Sequence, residues 1–397
     1  MILNRYHIPS LHGLIKRDVD KLFLAVAIRN FGMGMISIFA PIYIFLYFEQ
    51  SFHLTFLYYA LMFGLYGFLG VVAGKVIDGI GLTRSIFISF ILYFLYYLAM
   101  SLFPVSAIFV PAAIIFGALG MMMFWPAFHT AFIRFSGKDD RGSDVGRGRA
   151  IRLLPVILSP LIGGWILFVF GYPSLFLVVF ALILAGIIPL IYAKSIKEDY
   201  TDTVDKAWKR IFDKHNRRRT FALVSHGAET LVLGITWPLF LFGLSINFSE
   251  IGEITSFALL ASTIFLLYVG KISDTKDRPW LLNMGAAWTS LSWVFKLFVR
   301  TPFDAFLAHT IYRISKAAAD IPFQTTFYEL AAERHSHADE LIVYRETVVN
   351  IGRFILFLAL AAIFYFFPSS PIHATFVAAA VFSLGLMFLE RVPKIHI

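Results

Sequence analysis

His309, Arg313, Lys316 and Asp320 follow one another at intervals of four, three and four residues. At roughly 100° per residue on an α-helix, the four fall within about 60° of one face. Glu346, Asn350 and Arg353 share a face in the same way, His226 and Glu229 stand one turn apart, and Arg29 is followed by Asn30. Such groups suit two chemistries. Arginine grips a carboxylate or phosphate in bidentate fashion and lysine attracts it as a point charge, while Glu, Asp and His take up and release protons.

The segments that must position these side chains are apolar. With 59% hydrophobic, 17% aromatic and 15% charged residues and a mean hydropathy of +0.76, the chain has too little polar surface to coat a soluble globule of 397 residues. Apolar runs of about 20 residues start near Lys21, Leu54, Leu82, Val105, Ile151, Pro173, Thr220, Ile251, Pro279, Asp304, Val343 and Pro371. No two-residue alternation marks them as strands, and lipid leaves open strand edges unsatisfied. The first run is too long for a cleaved signal peptide and lacks a small-residue cleavage site. The expected fold class is an all-α integral membrane protein of twelve transmembrane helices in two six-helix, pseudo-symmetric halves.

In hydrocarbon, ionised Arg29, Glu229, Arg313, Lys316, Asp320 and Arg353 would cost about 2.5 to 3.5 kcal/mol each, on the order of 15 to 20 together. A typical domain's whole stability is roughly 5 to 15 kcal/mol. These groups therefore face water, one another or a ligand. Internal pairs such as Glu229 with Arg313 account for part of the set, but four cations against two carboxylates leave positive charge over. The surplus points to an anionic or carboxylate-bearing solute held by Arg29, Asn30, His309, Tyr312, Arg313, Lys316, Asn350 and Arg353. Tyr43, Trp125 and Trp237 stand at similar depth and either line such a pocket or pack. Glu229, His226 and Asp320 are the candidate proton carriers, Asp320 less so because Lys316 stands one turn away on its own helix.

The connections at 48–53, 103–106, 170–174, 246–252, 300–304 and 367–373 hold a single Lys or Arg, Arg300. Nearly all others, including Lys75, Arg84, Arg134, Arg152, Lys271, Arg278 and Arg345, lie at the other ends of the runs. The positive-inside rule then puts both termini in the cytoplasm, as in a multi-pass inner-membrane protein. The net charge of +9 orients the chain and does not imply nucleic acid.

Half of the chain echoes the other. GKVIDGIGLTRS starts at Gly74 and GKISDTKDRPWL at Gly270, 196 residues on (270 minus 74). Pro126 and Pro322, and Arg149 and Arg345, keep that register, and Pro41 and Pro238 miss it by one residue. Arg29 and His226 become repeat equivalents facing one central cavity. Parallel six-helix repeats that bind solute between them are a transporter architecture. The halves are expected at 1–193 and 220–397, joined by a linker at 194–219 whose Val204, Trp208, Ile211 and Phe212 make the apolar face of an interfacial helix.

GKVIDGIGLTRS resembles the signature loop of the major facilitator superfamily, roughly G-x-L-x-D-R-x-G-R between helices two and three, and the copy at Gly270 sits where that family repeats it. Gly74, Asp78, Gly81 and Arg84 match; Gly79 replaces the usual Arg. The resemblance implies a gate in which Asp78, and more weakly Gly270 and Asp274, lock the cytoplasmic side. SPLIGG, Ser159 to Gly164, partly resembles the fifth-helix motif of antiporters. The fourth-helix Arg of many members is absent, which puts proton coupling by that route in doubt.

Other chemistries fail on the residues. No cysteine is present, which removes thiolate, iron–sulfur and Cys-zinc chemistry. GVVAGKV at Gly70 lacks P-loop spacing and its hydroxyl, and His335 to His337 read as a solvated turn rather than a metal site. No nucleophile–base pair argues for an enzyme, and no cofactor is expected. The reading is a monomeric, proton-coupled secondary transporter of a small organic solute. A drug-exporting antiporter for amphipathic cations, and a non-transporting sensor or lipid-handling protein on the same fold, stand as alternatives. The topology is tested by cysteine labelling in intact cells: a cysteine at Ser51 reacts with an impermeant maleimide and one at Ser143 does not. The reverse pattern overturns the map.

Overall fold

The computed structural model describes residues 18–135, 143–194, 200–273, 278–333 and 338–389. Lipid offers the backbone no hydrogen-bond partners, so each crossing must satisfy its own N–H and C=O groups. The described residues accordingly form helices and no strands. Span 1 is Asp18–Ser37 with Ala40–Tyr47, followed by Phe52–Ile80, Leu82–Ser101 and Phe109–Phe135 as spans 2 to 4. Spans 5 and 6 form one run, Ser143–Ile191, broken at Gly171, whose φ of 75° suits glycine. After the linker helix Val204–Phe212 come span 7 (Arg217–Leu231, Val232–Thr236 and Trp237–Gly243), Phe248–Ser273, Arg278–Lys296, Pro302–Glu333, Ala338–Phe366 and Ala374–Gly385 as spans 8 to 12.

By length and hydropathy alone, six of these helices qualify as crossings, or seven with the bent first pair. Spans 9 and 10 fall below that measure because of their charged and polar residues, set among Ser, Thr, Asn and Trp, and spans 7 and 12 because their helices are short. Two prolines of the repeat mark equivalent breaks. Pro41 opens the second piece of span 1 after a 43° bend, and Pro238 follows a π-helical turn over Val232–Thr236. Proline has no N–H and crowds the preceding turn, so the helix must adjust there.

The two halves touch at both ends. At the end lacking basic residues, aromatic pairs close the gap: Phe39 on Phe248 at 6.1 Å, Tyr172 on Phe248 at 5.9 Å, and Phe52 on Phe364 at 5.2 Å. Glycines let the helices approach elsewhere. Along span 2, Gly64, Gly67 and Gly70 face Phe354, Ile351 and Thr347 of span 11, where a β-carbon on Gly67 would meet the Ile351 amide nitrogen at 2.9 Å. In SPLIGG, Gly163 lies on the Met35 carbonyl of span 1 and Gly164 on the Phe248 carbonyl of span 8, while the Leu161 N–H donates to Ser256 Oγ at 2.9 Å. The antiporter-like motif is here a packing seam between halves.

The signature loop folds as a tight corner. Gly81, with φ 88°, ends span 2 and span 3 starts at Leu82. Gly74 packs against the Tyr200 ring of the linker, Arg84 is exposed, and Asp78 makes no hydrogen bond or ion pair among the described residues. Asp274 lies outside the described residues, and Gly270 belongs to span 8 with its surroundings undescribed. Gly67→Leu forces the span 2–11 seam apart and should cost about 1 to 3 kcal/mol of stability, read as a lowered Tm in detergent. Gly79→Ala, with nothing within 4 Å of the new carbon, should leave Tm unchanged or slightly raised. Equal losses would show that the seam is not tight.

Candidate functional site

Spans 7, 9 and 10 bring the charged residues of the C-terminal half into one column. Glu229, fully buried, accepts from Trp293 Nε1 at 2.9 Å and from Tyr312 Oη at 2.6 Å through one carboxylate oxygen. Its other oxygen lies 2.7 Å from Lys316 Nζ, at an angle poor for a hydrogen bond, so the contact is an ion pair. Lys316 also meets Asp320 at 3.0 Å, one turn on, and Asp320 meets His226 Nε2 at 3.2 Å. His226 stacks flat on Phe323 at 4.8 Å. Each group therefore hands on to the next: Tyr312, Glu229, Lys316, Asp320, His226.

Lys296 continues the column toward the end lacking basic residues. It is fully buried, makes no hydrogen bond, and its ammonium lies 4.2 Å from the Trp237 ring, 4.0 Å from Trp293 and 3.9 Å from Tyr312. Desolvated cation–π contacts of this kind contribute about 2 kcal/mol or more. Trp293 and Tyr312 thus offer their ring faces to Lys296 and their polar hydrogens to Glu229. His309 stacks between Trp237 and Tyr312 and accepts from Arg313 Nε at 3.3 Å.

A second cluster joins the halves at the basic end. Glu346 of span 11 accepts from Tyr66 of span 2 at 2.9 Å and from Arg345 at 3.1 Å. Arg345 Nη1 also donates to His129 Nε2 of span 4 at 2.9 Å, and Nη2 donates to Gln324 at 3.2 Å. That leaves the His129 proton on Nδ1, which lies 2.8 Å from the Tyr328 hydroxyl. His129 and Glu346, at 3.6 Å, are near neighbours rather than a salt bridge, because the same nitrogen already accepts from Arg345. Asn350 donates to the Glu346 carbonyl at 2.7 Å and accepts from Arg353 at 3.1 Å, and Arg353 reaches over Phe63 of span 2 at 5.2 Å.

Arg29 departs from expectation. Its guanidinium lies over Phe124 at 3.9 Å and Tyr93 at 4.2 Å and donates to Asn30 at 2.9 Å, all within the N-terminal half. His226 is turned to Asp320, so the two repeat equivalents do not face each other. Cation–π contact has replaced a shared cavity. Trp125, half-buried, stacks on His129 at 5.5 Å, and Trp237 is packed in the Lys296 cage. Tyr43 donates to the Met100 carbonyl at 2.9 Å and belongs to packing at the far end. Arg345, expected at the cytoplasmic rim, is 6% exposed inside the bundle. The example of an internal pair read from the sequence, Glu229 with Arg313, is replaced by Glu229 with Lys316.

Sequence reasoning missed Lys296 and His129. Both carried a usable signal: Trp293 and Lys296 are three apart, and Trp125 and His129 four apart, so each pair shares a helix face. Around the two clusters and the two aromatic cages the cations are Arg29, Lys296, Arg313, Lys316, Arg345 and Arg353, against Glu229, Asp320 and Glu346, while elsewhere in the spans Asp20, Asp78, Glu250, Asp304, Glu329, Asp339 and Glu340 are also buried or half-buried, with Lys21 and Arg219. The positive excess is thus local to those clusters and cages, and among the described residues no cluster suited to a metal ion occurs.

A sequence search of curated proteins finds no match. The fold is that of solved transporters. A POT family transporter in complex with a thioalcohol-conjugated peptide superposes with a TM-score of 0.66 at 11% identity, over 93% of this chain and 94% of that chain. The POT family transporter PepTSo gives a TM-score of 0.70 at 11% identity, over 94% and 96%. The nucleoside transporter NupG gives 0.68 at 14% identity, over 94% and 98%. Identities this low speak to the fold alone. The family model of the Major Facilitator Superfamily matches residues 22–336, and the chain belongs to that superfamily of multi-pass membrane transporters.

Proposed function

We propose that this secondary transporter moves a small organic solute by alternating access, coupled to protons, with a preference for an anionic or carboxylate-bearing substrate. The observation that carries the reading is the column in which one lysine, Lys316, is shared by two carboxylates, Glu229 at 2.7 Å and Asp320 at 3.0 Å. A solute carboxylate that takes Lys316 leaves Glu229 buried without its counter-ion. An isolated buried carboxylate is costly, and uptake of a proton relieves that cost. Substrate and proton then bind together and leave together. Arg313, next to His309, supplies a second grip on the anion, and the remaining cations keep the field positive.

The inter-half cluster sets when the basic end opens. His129, Tyr66 and Tyr328 connect spans 2, 4 and 10 to Arg345 and Glu346 of span 11. Separating the halves breaks the contacts of His129 with Tyr328 and Arg345 and that of Tyr66 with Glu346, and water must replace them. The reading keeps both termini on the cytoplasmic side of the inner membrane, the halves at 1–193 and 220–397, and a monomer as the working unit.

Glu229→Gln should abolish accumulation driven by a pH gradient in proteoliposomes while sparing exchange of substrate across membranes without a gradient. Accumulation by the variant with only a proton gradient supplied would make Glu229 a structural partner. Lys316→Gln and Arg313→Gln should each weaken binding of an anionic substrate by about ten- to a hundred-fold, the roughly 1.5 to 3 kcal/mol of a charge-assisted contact. Tighter binding of cationic dyes, with no loss for any anion, would favour the drug antiporter instead.

A further inference from the structure

Outside the bundle, the linker encloses a cavity of about 920 Å³ against the start of span 11. Its wall is mixed. Lys206, Arg210 and Arg219 supply positive charge, Thr201 a hydroxyl, and Trp208 with Phe212 an apolar side. Asp202 and Asp213 also line it, alongside Lys209 and His215. Asp202 is spent on Arg210 at 2.6 Å and Asp213 on His215 at 2.9 Å, while Lys209 turns to Asp205 at 2.7 Å. Lys206 makes no ion pair among the described residues.

The linker does more than cover space. Tyr200 presses its ring on Gly74 of span 2, and Thr201 Oγ1 donates to Glu340 of span 11 at 2.6 Å. Trp208 packs on Phe68 of span 2 at 6.3 Å and stacks on Phe212 at 6.4 Å, and Phe212 is 77% exposed. The segment therefore straddles the two helices that meet along the seam between halves, with an aromatic edge pointing outward at the basic end. Arg210 has one side on Asp202, next in sequence to the Thr201 bridge.

We propose that this cavity binds a phosphate group, and that its natural source is the headgroup of an anionic phospholipid. Lysine and arginine around one recess are the donors a phosphate needs. The apolar wall favours an amphiphile over a bare ion, because Trp208 and Phe212 give the glycerol and first methylenes a surface to leave water for. A volume of about 920 Å³ accommodates a headgroup with room for water. Phosphate on Arg210 competes with Asp202, its partner within the linker.

The test uses the full-length protein in nanodiscs of phosphatidylcholine alone or mixed with phosphatidylglycerol, with retained lipid counted by native mass spectrometry. Wild type should retain phosphatidylglycerol about tenfold over phosphatidylcholine, Lys206→Gln should lose most of that preference, and Lys206→Arg should keep it. Arg210→Gln should lose it too, read only where its Tm stays near wild type, since that change also frees Asp202. Arg300→Gln, at the opposite end, should change nothing. Inorganic phosphate added to phosphatidylcholine discs separates the sources: protection against heating that Lys206→Gln abolishes, without lipid preference, keeps the phosphate site and assigns a soluble ligand. Equal retention of both lipids with no phosphate effect, or retention indifferent to Lys206→Gln, overturns the proposal whatever the transport assays show.

Discussion

The ammonium of Lys316, held 2.7 Å from Glu229 and 3.0 Å from Asp320, shows the constraint on which the rest of this structure depends. A charge inside an apolar bundle must find a partner within the bundle. Spans 7, 9 and 10 are less apolar than their neighbours, and they remain buried because their polar groups satisfy one another through Tyr312, Trp293 and His226. The same constraint explains the cages. Arg29 and Lys296 have no carboxylate partner among the described residues, and each is surrounded by aromatic faces instead. An arrangement in which positive charge outnumbers negative is tolerated there.

That requirement couples chemistry to shape. Because Lys316 serves two carboxylates of its own half, Glu229 of span 7 and Asp320 of span 10, it ties those two spans together. Because Arg345 reaches both Glu346 beside it and His129 of the other half, the halves cannot part at the basic end without exposing a paired charge. Glycines on spans 2, 5 and 8 make the seam close enough for such contacts. At the opposite end, where the sequence has almost no basic residues, closure is left to Phe39, Phe52, Phe248 and Phe364. One end is held by directional bonds and the other by apolar contact.

Helical spacing and the cost of burying charge determined much by themselves: the membrane setting, the all-helical halves, the proline register, and the presence of a buried polar set on spans 7, 10 and 11. The Lys316–Asp320 pair was legible because both partners lie on one helix, where i and i+4 meet whatever surrounds them. Only the tertiary structure decided the partners that come from different helices. Glu229 meets Trp293, Tyr312 and Lys316 from spans 9 and 10; Arg29 is turned into its own half rather than toward His226; Arg345 is drawn inside; and Lys296 is enclosed by rings from three spans. One-dimensional periodicity fixes which face of a helix a residue occupies. It carries nothing about how that helix is rotated or shifted against its neighbours, and in a bundle this apolar, packing side chains of Trp, Tyr, Phe and Gly set that rotation.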